Sequence, residues 1–127
     1  MGAVIVIRDT AGAMLLLRER HHDGWGLPGG LVQRGEHVSD AAVRETREEI
    51  DVDLDPNLLG PPTVNIDAAT RRVDVIFLCT LDGLSPRACE PEVLEVRWFA
   101  LGELPELFDP TAQVLRSVGV IDADAPS

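Results

Sequence analysis

A glycine-rich segment that runs directly into an acidic helix constrains the fold of this chain more than any other feature. Residues 21–30 contain four glycines and a proline, a composition that predicts a loop. The helix that follows is expected to begin at His37 or Ser39, because either residue can cap it, and to end at Ile50. Its core-facing positions fall within one arc at 100° per residue, and they are Val43, Thr46 and Ile50.

Three glutamates gather on another face of this predicted helix. Glu45, Glu48 and Glu49 follow the spacing i, i+3, i+4, which makes them surface neighbours. Like charges at this spacing cost about 0.2–0.5 kcal/mol per pair. A hard divalent cation such as Mg²⁺ would relieve that repulsion, because it takes carboxylate oxygens together with substrate phosphates. The alternative is a solvated acidic face paired with Arg44 and Arg47.

Short apolar runs on both sides of this segment predict strands. Residues 3–7 and 13–18 flank a polar turn and predict a β-hairpin. Further strands are expected at 52–54, 63–66, 73–80 and 93–100, and helices at 101–108 and 111–118. Val, Ile, Phe and Leu dominate 73–80, so that strand is expected to be buried on both faces. The pattern is mixed α/β, with one domain over 1–121 and a frayed tail over 122–127.

Composition narrows the classes of function. A formal net charge of −11 argues against bulk nucleic acid as a partner, whereas a small phosphorylated substrate is compatible if metal ions screen the acids. The first residues lack signal-peptide features and no apolar run is long enough to span a membrane, so a cytoplasmic protein is expected. Cys79 and Cys89 have neither zinc-ligand spacing nor the pattern of a disulfide framework. A homodimer is a general expectation for a small protein.

The segment from Gly30 to Val52 resembles the Nudix box, a motif that combines a loop and a helix. The positions in register are Gly30, Glu36, Arg44, Glu45, Glu48, Glu49 and Val52. Thr46 takes an aliphatic position of the pattern, and Asp51 replaces a glycine that would cap the helix in the left-handed conformation, which Asp can also adopt. Residues 27–30, 96–99 and 103–105 also look like the family. The resemblance implies a Nudix-type α/β/α sandwich with a mixed sheet, and a hydrolase that splits a diphosphate linkage.

The resemblance also implies roles for the residues of the motif. Glu45, Glu48 and Glu49 would coordinate Mg²⁺ or Mn²⁺, with the Gly29 carbonyl as a further ligand, and Glu45 or Glu48 would act as general base. Arg44 would hold a glutamate in place by a charge-assisted hydrogen bond. Gly30 and Glu36 would support the loop and the helix.

For each candidate residue outside the motif, a role in the site stands beside a plain surface or packing role. A late glutamate often supplies the base or a further ligand in the resembled family, and Glu95 is the first candidate and Glu92 the second, although both can equally be surface acids. Three arginines near the hairpin end and the loop can reach phosphates or remain solvated, namely Arg18, Arg20 and Arg34. Trp25 can stack on a base or pack the loop, and His21 and His22 are expected to face solvent.

Marks that distinguish subfamilies favour one substrate class by elimination. The chain has no Tyr, which dinucleoside polyphosphate hydrolases place after the box, and Ala68 stands near where ADP-ribose hydrolases tend to place Pro. A MutT-like hydrolase of a nucleoside triphosphate or an oxidised nucleotide is therefore expected, with ADP-ribose or a nucleotide sugar as the alternative substrate. A non-catalytic nucleotide-sensing module is the alternative of another class.

Overall fold

One mixed sheet between two helices organises residues 1–122, the part of the chain that the computed structural model describes. The strands are β1 (Gly2–Arg8), β2 (Met14–Glu19), β3 (Trp25–Gly26), β4 (Gly29–Leu31), β5 (Thr63–Asp67), β6 (Arg72–Thr80) and β7 (Val93–Phe99). The helices are α1 (Val38–Ile50) and α2 (Asp109–Ser117), and short 3₁₀ turns cover Pro56–Leu58 and Leu101–Glu103. The predicted α/β/α sandwich with a mixed sheet is confirmed.

The first two strands form a fork rather than a fully paired hairpin. They are antiparallel, but their register includes only Arg8 opposite Met14. Beyond that point β4 pairs with the beginning of β1, and β3 pairs with the end of β2. On its other side β1 runs parallel to β6, and β2 is antiparallel to β7. The prediction that 21–30 is loop throughout is therefore wrong, because its glycines bring the backbone close enough to pair inside the fork.

Strand alternation buries both faces of the sheet. Ile5 and Ile7 of β1 pack on the α1 side, whereas Val6 between them packs on the α2 side. The same alternation separates Leu15 and Leu17 from Leu16 in β2. An apolar residue at nearly every central position is what a strand needs when helices cover both of its faces.

Helix α1 ends as predicted, at Ile50. The next residue, Asp51, adopts the left-handed conformation (φ 57°, ψ 40°) and its N–H donates to the Arg47 carbonyl at 3.0 Å. Asp therefore occupies the C-cap conformation that glycine usually provides. At the other end His37 is the N-cap residue, and its side chain makes no capping hydrogen bond to the helix.

Other predicted elements need correction. Residues 52–54 are not a strand, and Val52 and Leu54 instead pack into the α1-side core. Residues 101–108 are not a helix, because only a single 3₁₀ turn forms there and Leu107 makes an isolated bridge with Trp25. Strand β6 is not buried on both faces along its length, since Leu78 is 44% exposed. The remaining strands and α2 lie within a few residues of their predicted bounds.

Three smaller points concern the thiols, membrane spans and the chain end. Cys79 is buried, Cys89 is half-buried, and both are free. No helix within residues 1–122 is long and apolar enough to cross a membrane. Of the tail predicted to fray, residues 123–127 lie outside the described part of the chain.

Candidate active site

The acidic face of α1 lies against the glycine loop that precedes it. Glu49 is buried, with 9% of its surface exposed, and its Oε1 accepts a hydrogen bond from the Gly29 N–H at 2.8 Å. Glu45 is half-buried beside Gly30, whereas the Glu48 side chain is 57% exposed. The three glutamates predicted to share a face thus range from buried to solvated.

Glu19 is a fourth acidic residue at this site and was missing from the sequence-based candidates. Its carboxyl lies within hydrogen-bonding reach of Glu49, and it also pairs with His22. The signal was present in β2, where Leu15 and Leu17 face α1 and residue 19 comes next on the same face. Burial raises the pKa of Glu49 to about 10, and the neighbouring Glu19 carboxyl adds to that rise.

Arg44 connects the segment between β4 and α1 to the acidic face of α1. Its Nε and Nη2 donate to the two oxygens of Glu36, at 2.8 and 3.0 Å. Its Nη1 donates to Glu45 at 2.9 Å and to Glu48 at 3.3 Å, and Nη2 also donates to the Leu31 carbonyl at 3.1 Å. The hydrogen bonds from Arg44 are the main cause that lowers the pKa of Glu36, and Glu36 in turn is the main cause that raises the pKa of Arg44. These contacts can fix where the Glu45 carboxylate points.

Two glycines allow the close approach between loop, strand and helix. A Cβ at Gly30 would lie 2.5 Å from Cδ of Glu45 and within 2.7 Å of both carboxylate oxygens. A Cβ at Gly29, whose φ is 152°, would lie 2.4 Å from the Ala3 carbonyl oxygen. A side chain at either position would therefore displace an acidic ligand candidate or open the pairing with β1.

The two late glutamates lie on different sides of the sheet. Glu95 faces away from α1 and accepts from Nε and Nη2 of Arg18, at 3.0 and 2.8 Å. Glu92 instead lines the acidic cavity with Glu90. Arg20 holds this segment, because its Nε donates to the Pro91 carbonyl at 2.8 Å and its backbone N–H to the Glu92 carbonyl at 2.9 Å.

The remaining candidates are dispersed. Trp25 packs edge-to-face on Phe99, with ring centroids 4.9 Å apart, so it stabilises the loop from the α2 side. Arg34 is exposed in the loop before α1. His21 and His22 are exposed as expected, yet both line the acidic cavity.

Two cavities meet at the glycine loop. The acidic one, of about 500 Å³, is lined by Glu45, Glu48, Glu49 and the late acidic residues. A second, of about 470 Å³, opens on the α2 side between the sheet and the first turns of α2. Both are bounded by Glu19, His22, Gly29 and Gly30. A ligand of nucleotide size can thus extend from one cavity into the other.

The donor set of the acidic cavity fits a hard divalent cation. Within residues 1–122, no three His, Cys, Asp or Glu side chains are already gathered into a metal-binding group. Arg44 and Glu19 engage the carboxylates that such a group needs. The donors that α1 and Gly29 offer are nevertheless all oxygen, and the raised pKa of Glu49 reflects a buried acid that a cation would return to its charged form.

Comparisons with known proteins agree with this geometry. A family model described as NUDIX domain matches residues 1–118. A putative 8-oxo-dGTP diphosphatase of Bacillus subtilis is 27% identical over 111 residues, which cover 86% of this chain and 72% of that protein. Nucleoside diphosphate-linked moiety X motif 6 of Xenopus laevis is 31% identical over 105 residues, 78% of this chain, and the match spans only about half (48%) of the Xenopus protein. The crystal structure of a MutT NUDIX hydrolase from Burkholderia pseudomallei has 33% identity and a TM-score of 0.75, with 92% of this chain and 95% of that chain covered.

Proposed function

The chain belongs to the Nudix family, and on that premise we propose that it is a metal-dependent pyrophosphohydrolase that cleaves the diphosphate linkage of a nucleotide. The single observation that carries the proposal is the meeting of the two cavities at Gly29 and Gly30. One cavity gathers carboxylates and the other offers apolar walls, so the phosphates and the base of one substrate can be held side by side.

We assign the metal-binding role to Glu45, Glu48, Glu49 and the carbonyl of Gly29, with Mg²⁺ or Mn²⁺ as the ion. When bound, the ion supplies positive charge that stabilises developing negative charge on phosphate oxygens and makes water more acidic. Arg44 positions the Glu45 carboxylate through the contacts described above, and Glu36 holds Arg44. Gly30 leaves the space that this carboxylate occupies.

The remaining step is proton transfer from the attacking water. We assign this proton to Glu45 or Glu48, and the lining of the acidic cavity by both residues supports either choice. For the late glutamate, we propose Glu92 rather than Glu95, since Glu95 is engaged by Arg18 on the other face of the sheet. Arg20 then acts by holding the segment that carries Glu92.

The substrate we favour is a nucleoside triphosphate or an oxidised nucleotide, as in a MutT-like enzyme. Similarity to the Bacillus protein, whose name specifies 8-oxo-dGTP, supports this choice. ADP-ribose or a nucleotide sugar is the alternative substrate. We propose that the enzyme acts in the cytoplasm. A non-catalytic nucleotide-sensing module would need the same cavities but no turnover.

A substrate panel tests the proposal. The purified protein is incubated with Mg²⁺ or Mn²⁺ and with canonical and oxidised nucleoside triphosphates, ADP-ribose, nucleotide sugars and dinucleoside polyphosphates, and phosphate products are measured. Glu48→Gln should reduce turnover about a hundredfold or more, as expected for a ligand or a base. Glu103→Gln is the matched control, because Glu103 is exposed and lies in the 3₁₀ turn outside the site.

Each outcome has a distinct meaning. Cleavage at a diphosphate bridge that Glu48→Gln abolishes and Glu103→Gln preserves supports the hydrolase. Binding of a nucleotide without cleavage of any panel member would favour the sensing module. Full activity in Glu48→Gln would contradict the role assigned to the acidic helix.

A further inference from the structure

A buried carboxylate faces the cavity on the α2 side. Asp74 is only 2% exposed, yet it lines the cavity wall formed by the sheet. It lies two residues before Ile76, which packs on the α2 side, so strand alternation directs both side chains to that face. A sequence position with this burial ordinarily holds an apolar side chain.

Within residues 1–122, the structure makes room for this carboxylate and gives it one cationic partner. Asp74 lies opposite Gly2 in the register of β1 and β6, and a Cβ at Gly2 would come within 2.6 Å of Oδ1. Nε of Arg72 donates to Oδ2 at 3.0 Å and to Oδ1 at 3.3 Å. A carboxylate has about four acceptor positions. The Asp74 carboxylate can therefore accept further hydrogen bonds besides the one from Nε of Arg72.

The surroundings of Asp74 suit a flat heterocycle. Val4, Leu27 and Val114 provide apolar walls of the same cavity. On the side shared with the acidic cavity, the His22 ring stacks on Phe108 with centroids 4.1 Å apart and planes within 1° of parallel. Desolvation of Asp74 among these groups costs free energy unless hydrogen-bond donors approach it. A ligand that brings N–H groups to the carboxylate supplies that compensation.

We propose that Asp74 and Arg72 read the base of the substrate and select a guanine-type base. Guanine presents two adjacent donors, N1–H and the N2 amino group, beside the O6 acceptor. The carboxylate of Asp74 accepts from the two donors, and the guanidinium of Arg72, half exposed at the cavity edge, donates to O6. Adenine and cytosine place a ring-nitrogen acceptor beside their amino group, so a carboxylate opposes that acceptor. This inference rests on the proposed function, because it names the base of the nucleotide whose phosphates occupy the acidic cavity.

The first test uses the unmodified protein and three nucleoside monophosphates. Binding of GMP, IMP and AMP is measured by isothermal titration calorimetry in EDTA, so that no turnover is involved. IMP differs from GMP only by the missing N2 amino group. GMP should bind about tenfold or more tightly than IMP and AMP, because one charge-assisted hydrogen bond is lost with IMP and an acceptor opposes the carboxylate with AMP. Equal affinities for GMP and IMP would overturn the proposal without any variant.

The second test changes the carboxylate. Asp74→Asn keeps the side-chain shape but places an amide NH₂ where an acceptor is needed, so GMP affinity should fall about tenfold or more while AMP affinity changes less than about threefold. Asp82→Asn is the matched control, because Asp82 is exposed and bonds Thr10 away from both cavities. Circular dichroism confirms that both variants are folded. Unchanged GMP affinity in folded Asp74→Asn would refute the assignment.

These readouts separate the inference from the proposed function. Cleavage of nucleotides without preference among bases would refute base reading and leave the hydrolase intact. Preference for GMP without cleavage of any substrate would support base reading and refute the hydrolase.

Discussion

Replacing Glu49 by Gln should stabilise the metal-free protein, and increasingly so as the pH rises. The pKa of Glu49 is raised from 4.5 to about 10, mainly by burial, so near neutral pH the folded state keeps a proton that the unfolded state has released. The free energy of unfolding then falls by about 1.4 kcal/mol for each pH unit between these two values. From about pH 5.5 to about pH 7.5 the loss attributable to Glu49 amounts to about 3 kcal/mol.

Glutamine removes this titration and preserves the local contacts. Its carbonyl oxygen can accept from the Gly29 N–H, and its amide can donate to the Glu19 carboxyl. Titrating groups that do not interact with Glu49 contribute equally to both proteins, so the difference between Glu49→Gln and wild type reports Glu49 together with the neighbouring Glu19 carboxyl. That difference should grow by about 3 kcal/mol over the same pH interval.

Urea denaturation in EDTA at several pH values measures the difference. Glu48→Gln is the matched control, because Glu48 lies one position earlier on the same helix but keeps a 57% exposed side chain. It measures the effect of removing one exposed carboxylate from the same helix. Addition of Mg²⁺ should then stabilise wild type and not Glu49→Gln, since ions that bind the folded state raise its stability. A wild-type to Glu49→Gln difference that stays constant within about 0.5 kcal/mol across the interval would refute the reasoning, because the linkage requires a slope.

Three further substitutions test separate contacts. Gly30→Ala should weaken Mn²⁺ binding by about tenfold or more in calorimetric titration, because the added Cβ meets the Glu45 carboxylate. Gly102→Ala is the control and should leave Mn²⁺ binding unchanged, because a Cβ there meets nothing within 4 Å. Arg44→Lys should lower both metal affinity and turnover about 10- to 100-fold, since lysine cannot hold Glu36 and Glu45 together, and an unaltered metal titration would contradict this positioning role. Asp51→Gly should stabilise the protein by about 0.5–1 kcal/mol in urea denaturation, because glycine adopts the left-handed C-cap conformation without strain. A loss of stability would instead show that the contact from Arg87 to Asp51 contributes more than the relief of strain.

Local features of the chain were predictable because their causes are local. The extent of α1, its C-cap at Asp51 and the position of three glutamates along one cavity follow from spacing along one helix. Most strands follow from apolar runs bounded by turn residues. The glycine loop was only partly predictable, since its pairing inside the fork depends on how β1 and β2 diverge, which composition does not encode.

Features that depend on which face of the sheet a residue takes were harder to predict. Glu95 and Glu92 are three residues apart on or beside β7, an odd separation that strand alternation places on opposite sides of the sheet. Strand alternation also places Glu19 beside Glu49 and Asp74 in the second cavity, although neither residue was a candidate from the sequence. The face of the sheet that a strand residue takes depends on the register between strands that are distant in sequence. Assigning that face reliably therefore requires the whole sheet.

The glycine loop between the two cavities also separates the proposed chemistry from the proposed selectivity. The residues to which we assign the phosphate chemistry lie on the α1 side, whereas Asp74 and the walls around it belong to the other face of the sheet. A substitution on β6 or α2 can therefore alter the preferred base without disturbing the carboxylates of α1. Such an arrangement lets substrate range diverge during evolution while the hydrolytic machinery stays under separate selection, with Gly29 and Gly30 as the positions that neither side can change freely.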